Sequence, residues 1–490
     1  MLTISEAEIY DGLGVENPWW GGGEPVGRVA NYPERAYLPA FRQLVTQADV
    51  VRSVLLFGPR RVGKTVMIQQ TIAHLLGDGV AGSNLLYISL DRPLYNGLTL
   101  EGVVRAHMSR TPEARGRRYF FFDEIQYVRD WERDLKSLTD LYPEHRFVAS
   151  GSAAAALRTK SIESGAGRFT DFMLPPLTFD EFIAFQHEEE DSLTRLRAFA
   201  DADFTEPEQL REIDIAYLNI LFERYLTYGG YPEAVMSQHI QDNLDRFIRE
   251  DIVEKVLLRD LPSLYGIQDT RELNSLFTTL CYNTAQEVSL ENLSNSAAIS
   301  KNTIKRYIEY LEAAFLIRTV SRIDHTARTF ERQTRFKVYL TNPSLRAALF
   351  RPLSQDDDGY GHLVETAIYS QWFHSPDRDP LHYARWDKGE IDIVAVYDFK
   401  PHWFVEIKWS DRHVGRPGEL PAVESFIRKH AATLESGKVT SRSKFGNLLL
   451  GGRDVPVTPA AVYCWLLGRN TARTRADRVR QRAKRSKRAP

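Results

Sequence analysis

Eight consecutive residues, Gly58-Pro59-Arg60-Arg61-Val62-Gly63-Lys64-Thr65, fit the pattern GxxxxGK[ST], whose chemistry is phosphate binding. Glycines let backbone N–H groups approach phosphate oxygens, and a helix starting at the motif turns its positive end toward the anion. In that arrangement Lys64 reaches the β- and γ-phosphates of ATP, and the Thr65 hydroxyl ligates Mg²⁺. A chain of this length meets the pattern by chance about 2% of the time at ordinary residue frequencies, so the setting decides. The motif follows the apolar run SVLLF and opens TVMIQQTIAHLL, which is the strand–loop–helix context it requires.

Hydrolysis of a bound nucleotide calls for acids at the end of a buried strand. Tyr119-Phe120-Phe121-Phe122-Asp123-Glu124 supplies them. Asp123 is suited to hold Mg²⁺ through water, and Glu124 to orient the attacking water as general base. The run RFVAS continues into Ser150-Gly151-Ser152, where Ser152 can contact the γ-phosphate or the water; an ordinary strand-to-helix turn would read the same way. In Gly165-Ala166-Gly167-Arg168, Arg168 can stabilise transition-state charge as a finger or sensor, in trans if the chain oligomerises, or it is a plain surface arginine.

Two further constellations lie downstream. After the short helix-like piece 290–297 and a turn, Lys301 opens a helix capped by Ser300, in which Ile304, Ile308 and Leu311 share one apolar face. Lys301, Asn302, Lys305 and Arg306 cluster on the other face, the layout of a helix-turn-helix whose second helix can enter a DNA major groove. Basic residues there would hold phosphates and Asn302 would reach a base edge; packing of two helices with incidental surface charge is the alternative. Further on, Asp392 lies in GEIDIV and Glu406 and Lys408 in VEIKW, with Glu365 in the helical run HLVETAIYSQWF. On a strand Glu406 and Lys408 would project to one face. This set resembles the PD-(D/E)xK nuclease core, in which carboxylates bind Mg²⁺ and a lysine orients the attacking water. A degenerate centre kept for binding is the other reading.

The elements that must position these groups follow from hydrophobic patterning. SVLLF (53–57), NLLYISL (84–90), RYFFF (118–122) and RFVAS (146–150) have the length of buried strands, and the helical stretches between them imply parallel βαβ units. Residues 181–268 read as mostly helical, broken at Tyr228-Gly229-Gly230-Tyr231-Pro232. Strands return as FKVYL (336–340), IDIVAV (391–396) and WFVEIKW (403–409).

With 490 residues the chain exceeds one ordinary core, and three folding units are expected. No apolar stretch approaches membrane-helix length, and the acidic N-terminus does not read as a signal peptide. Two distant cysteines, Cys281 and Cys464, supply neither a zinc site nor a disulfide framework, so a reducing, cytoplasmic setting is expected. The net charge of −2 hides ten Lys/Arg against the single acid Asp477 over residues 469–490. That basic tail is expected to be disordered, and either attracts phosphate backbones or is simply solvated.

GPRRVGKT, FFFDEIQ, ASGSAAAAL, GAGRF followed by PLTFDEF, and YGGYPEAV occur in this order. Together they resemble the prokaryotic AAA-type ATPases with a C-terminal DUF4143 region, over residues 36–412. The resemblance implies an ATPase module, a winged helix and a restriction-endonuclease-like domain. The expected fold class is therefore α/β: an irregular lead-in over 1–35, a P-loop NTPase domain with a parallel sheet over 36–180, and a helical region over 181–268. A winged helix-turn-helix over 269–322, an α+β PD-(D/E)xK-like domain over 323–468 and the tail complete it. One departure stands out: where relatives would carry Asp after the KVYL strand, Asn342 precedes Pro343. The functional expectation is an ATP- and Mg²⁺-using ATPase that acts on DNA through the winged helix and nuclease-like domain. The alternatives are a non-cleaving, ATP-dependent switch that binds DNA or protein partners, and a signalling ATPase whose winged helix meets only proteins.

Overall fold

The computed structural model describes residues 6–23, 29, 32–112, 115–151, 167–186, 191, 194, 213–324, 335–374, 381–387 and 389–471. The chain divides into two compact units, over Met1–Pro175 and Pro176–Thr474. The expected three units are thus two, and the first ends at 175 rather than 180.

The first unit is built on five parallel strands: β1 (Ser53–Phe57), β2 (Leu85–Ser89), β3 (Tyr119–Asp123), β4 (Arg146–Gly151) and β5 (Phe169–Met173), in the order β2-β3-β4-β1-β5. Every residue of β1, β3 and β4 is buried, as parallel strands covered on both faces must be. Helices Leu38–Thr46, Lys64–Gly77, Leu100–Arg110 and Trp131–Leu141 accompany them. Because β4 runs between β1 and β3, the carboxyl ends of three strands lie side by side: Phe57 pairs with Gly151, and Phe122 with Ala149. Chemistry carried by the residues just beyond those ends is thereby gathered in one place.

The lead-in is more ordered than its glycines and prolines suggest. Residues Glu6–Glu16 form a helix, followed by a tight turn over Pro18–Gly21. The reason lies in β2, which among the described residues pairs with β3 alone and so presents an open edge. Side chains of the lead-in take the place of a neighbouring strand. Asn17 Oδ1 accepts the Tyr87 N–H at 2.6 Å and its Nδ2 donates to Tyr87 O at 2.8 Å, while the Glu16 carboxylate accepts the Ser89 N–H at 2.9 Å. Trp19 and Trp20 both donate their indole N–H to Leu85 O.

The second unit holds a nine-stranded mixed sheet in the order β13-β14-β12-β11-β10-β9-β7-β8-β6. Its strands are β6 (Glu287–Ser289), β7 (Ile317–Ile323), β8 (Arg335–Leu340), β9 (Leu381–Trp386), β10 (Gly389–Tyr397), β11 (Lys400–Glu406), β12 (Ser436–Ser441), β13 (Gly446–Leu450) and β14 (Arg453–Pro459). The expected boundary at 322/323 cuts through this sheet: β8 lies between β6 and β7, antiparallel to both, and β7 continues in parallel to β9. Backbone pairing therefore fuses the two regions read separately. Helices Phe179–Ala184 and Ile215–Tyr228, from the region read as helical, pack into the same core with Tyr339, Ile368, Tyr383 and Trp465. The last helix runs over 460–471, so the first residues of the supposed tail are ordered, with Arg469 and Thr471 buried. Residues 472–490, the rest of that tail, lie outside the described residues.

Candidate functional site

The phosphate-binding loop leaves β1 at Gly58 and enters the helix Lys64–Gly77 through Gly63, whose φ of 93° is the left-handed conformation that favours glycine. At Gly58 the constraint is space: a Cβ there would stand 2.3 Å from Leu174 O. Lys64 is buried, and its Nζ donates to Gly58 O at 3.0 Å and Pro59 O at 2.7 Å. The ammonium is thus held inside the loop that the motif assigns to phosphate. Arg35, which no motif singles out, is buried and donates to Val62 O at 2.8 Å and Pro175 O at 3.0 Å, fixing the loop from behind. Only the fold brings so distant a residue to the loop.

Asp123, at the end of β3, is the centre of the polar network. Thr65 Oγ1 donates to its Oδ2 at 2.7 Å and Tyr87 OH donates to the same oxygen at 3.0 Å. Ser150 Oγ, from the end of β4, donates to Oδ1, which also accepts the Glu124 N–H at 3.2 Å. A hydroxyl and a carboxylate within hydrogen-bonding reach form a donor set suited to Mg²⁺, which takes hard oxygen ligands beside substrate phosphates. Thr65 and Asp123 are the residues that would hold it. Glu124 adopts φ 54°, which turns the chain sharply at the strand end, and Gln126 Nε2 donates to its carboxylate. Burial pushes the Glu124 carboxyl up, Lys64 opposes the shift, and the Asp123 charge adds to it. A carboxylate raised in this way is better matched to accepting a proton from water.

The other residues expected here fall differently. Ser152 lies outside the described residues, and Ser150 is the hydroxyl of that segment that meets Asp123. Arg168 sits at the amino end of β5, where its carbonyl accepts the Ser53 N–H at 2.9 Å and its Nε donates to Asp140 Oδ1 at 2.5 Å. That is the end of the strands opposite the phosphate loop, about 16 Å away for five strand residues. Arg168 therefore does not reach a nucleotide in its own chain.

In the second unit Glu365, Asp392, Glu406 and Lys408 do come together, with one addition that sequence spacing did not reveal. Lys337 on β8 is buried, and its Nζ lies 2.9 Å from Glu365 Oε1, 2.6 Å from Glu390 Oε1 and 3.6 Å from Asp392 Oδ1. Tyr339 OH also donates to Glu365 Oε1, at 2.6 Å. The expected three-acid cation site thus contains a cation of its own, an ammonium. Asp392 Oδ2 accepts the Ile407 N–H at 2.8 Å. The register between β9 and β10 shifts between Ile391 and Val394, and such an irregularity re-aims side chains. β11 ends at Glu406, so Lys408 is not on a strand as expected. Its backbone is held by Thr440 on both sides, and its Nζ lies 2.6 Å from Glu406 Oε1. Glu406 Oε2 is buried and has no hydrogen-bond partner among the described residues. Burial and the Asp392 charge push Glu365 up to about 8 and Glu406 up to about 7. Among the described residues no group of three or more His, Cys, Asp and Glu side chains is arranged to hold a metal ion. Asn342 is buried and structural: its Oδ1 accepts the Ser344 N–H at 2.9 Å and its Nδ2 faces Tyr225 OH.

The helix pair expected from sequence is present as Leu290–Ala297 and Lys301–Ala313, capped by Ser289 and Ser300. Ile304, Ile308 and Leu311 are buried together with Tyr307, while Lys301, Asn302, Lys305 and Arg306 are exposed. Lys301 Nζ lies 3.6 Å from Glu291 Oε1 across the turn. Cys281 and Cys464 are free and buried, and among the described residues no helix is long and apolar enough to cross a membrane.

Comparison with known proteins agrees with the geometry of the first unit. Residues 51–183 match the family model of an AAA domain, and residues 219–357 match a domain of unknown function, DUF8612, where DUF4143 was expected. An uncharacterised protein of Haemophilus influenzae is 25% identical over 72% of this chain and 82% of its own. An uncharacterised protein of Methanocaldococcus jannaschii is 23% identical over 76% of this chain and 78% of its own. Likeness to solved structures is weak. The replication initiator DnaA bound to AMPPCP and single-stranded DNA gives a TM-score of 0.26 at 14% identity, covering 56% of this chain and 87% of that one. The Hsp104:casein complex of S. cerevisiae gives 0.29 at 14% identity, covering 64% and 54%. The phosphate loop and the strand-end acid both fall within the stretch that matches the AAA domain model, residues 51–183.

Proposed function

We propose that this chain is an ATP-hydrolysing switch whose second unit engages DNA without cutting it. The observation that carries the ATPase half is the convergence of Thr65, Ser150 and Tyr87 on Asp123, with Glu124 beside it at the mouth of the phosphate loop. Lys64 would hold the β- and γ-phosphates, and Glu124 would take the proton of the attacking water. Mg²⁺, when bound, neutralises charge developing on the phosphates. Arg168, directed away from its own nucleotide, would act only on that of a neighbouring copy.

The DNA-binding half rests on the order helix Thr270–Tyr282, β6, two helices, β7, β8, with the three strands adjacent as β6-β8-β7. That is the order of a winged helix, and the exposed face of its third helix carries Lys301, Asn302, Lys305 and Arg306. The non-cleaving reading rests on Lys337, whose ammonium sits among the acids that a nuclease would give to metal. A second reading, Mg²⁺-dependent cleavage, is favoured by the buried, unpartnered Glu406 Oε2. The separating experiment measures ATP turnover, duplex binding and cleavage with Mg²⁺ or Mn²⁺, with and without ATP. Turnover and binding without cleavage support the switch, and cleavage abolished by Glu406→Ala would replace it with the nuclease. Absence of duplex binding would leave an ATPase whose partners are proteins.

A further inference from the structure

The polar groups around Asp123 include one that the phosphate-loop motif does not account for. Tyr87 lies on β2, at the sheet edge farther from the loop, yet its hydroxyl donates to Asp123 Oδ2 at 3.0 Å, the same oxygen that Thr65 Oγ1 meets at 2.7 Å. Register explains the reach: Ser89 pairs with Asp123, and Tyr87, two residues earlier, shares Ser89's face. A long side chain then spans the diagonal to the neighbouring strand. Tyr87 is buried, and its hydroxyl donates to the carboxylate.

What holds Tyr87 is equally specific. Its backbone N–H and C=O face the open edge of β2, and both are taken by the side-chain amide of Asn17, at 2.6 and 2.8 Å. Asn17 is fully buried and is itself tied to Leu13 O by Nδ2 at 2.7 Å. Two residues on, the Ser89 N–H is held by Glu16. The chain of contacts runs Asn17, Tyr87, Asp123, and the last of these is the carboxylate assigned to Mg²⁺.

We infer that Tyr87 is a positioning residue for the metal-holding carboxylate of Asp123, and that the N-terminal segment sets its position through Asn17. The inference rests on the ATPase reading given above. Partners in the outer shell of a metal site orient the ligating oxygen, and removing one commonly costs about 10- to 100-fold in metal affinity or activity. Tyr87 lies on β2, outside the phosphate loop, so its loss should be felt through the metal.

The test follows binding of a fluorescent ATP analogue to the full chain, without Mg²⁺ and across a Mg²⁺ titration. Tyr87→Phe, which removes only the hydroxyl, should raise half-saturating Mg²⁺ about 10-fold and leave Mg²⁺-free affinity unchanged. Asn17→Ala keeps the hydroxyl and should move half-saturation the same way by a smaller factor. A purely structural role would lower thermal stability while the Mg²⁺ curves superimpose on wild type, and that result overturns the inference. If Tyr87→Phe does not fold, an unshifted Asn17→Ala curve overturns it equally. Failure of the wild-type chain to bind the analogue at all would instead remove the ATPase reading.

Discussion

The ammonium of Lys337 lies 2.9 Å from Oε1 of Glu365, and both groups are buried. An internal lysine can balance buried carboxylates as a metal ion does, but it neither polarises a phosphate nor lowers the pKa of a bound water as a metal does. Glu365 and Asp392, two of the acids that resemble a nuclease core, therefore have a counter-charge beside them without a metal. The same ammonium lies 2.6 Å from Glu390 Oε1 and 3.6 Å from Asp392 Oδ1, and removing the cationic partner of buried carboxylates commonly costs about 3–5 kcal/mol, because their charge is left uncompensated. Lys337→Met should destabilise the second unit by that order in urea unfolding. Added Mg²⁺ should restore part of the loss in the variant and none in wild type. A variant as stable as wild type would show that the acids do not depend on this lysine.

Lys64→Ala should abolish nucleotide binding, since the Lys64 ammonium is held inside the loop by the carbonyls of Gly58 and Pro59. Circular dichroism should report an intact fold, and equilibrium binding of labelled ATP should report the loss. Normal turnover by the folded variant would refute the site.

Glu124→Gln should retain ATP binding and hydrolyse it about 10²–10⁴-fold more slowly. Because burial raises its carboxyl, wild-type turnover should climb with pH through a range above that of an ordinary carboxylate. An unchanged rate in steady-state hydrolysis by the variant would assign the base elsewhere.

Stability should depend on pH through Glu365 and Glu406. Both start from 4.5 in the unfolded chain and are raised on folding, to about 8 and about 7. Between those limits the folded chain keeps protons that the unfolded chain has released, so stability falls as pH rises from 4.5 toward 8. Denaturant midpoints across that window should decline, and Glu365→Gln should flatten the decline.

Duplex DNA should bind with steep salt dependence. Replacing Lys305 and Arg306 by Ala should weaken binding on all sequences alike and lower the salt slope by about 1 for each phosphate no longer neutralised. Tail deletion should begin at 472, because Arg469 and Thr471 are buried in the last helix. Unchanged titrations would place any DNA-binding surface elsewhere.

Local spacing determined a good deal of this protein. The phosphate loop, the Asp123-Glu124 strand end, four of the five strands of the first sheet (all but β5) and the buried stripe Ile304–Ile308–Leu311 are encoded within a few neighbouring residues. Strand and helix periods alone specify such features. What the sequence did not disclose lies in pairings between distant segments. Asn17 completes the edge of β2, Arg35 buttresses the loop at Val62, and Tyr87 reaches Asp123 from a neighbouring strand. Lys337 enters the acid cluster because β8 inserts between β6 and β7 and joins them to the sheet carrying Asp392. Sheet order is set by which strands bury their faces together, a property of the whole fold. It therefore decides which distant charges must meet.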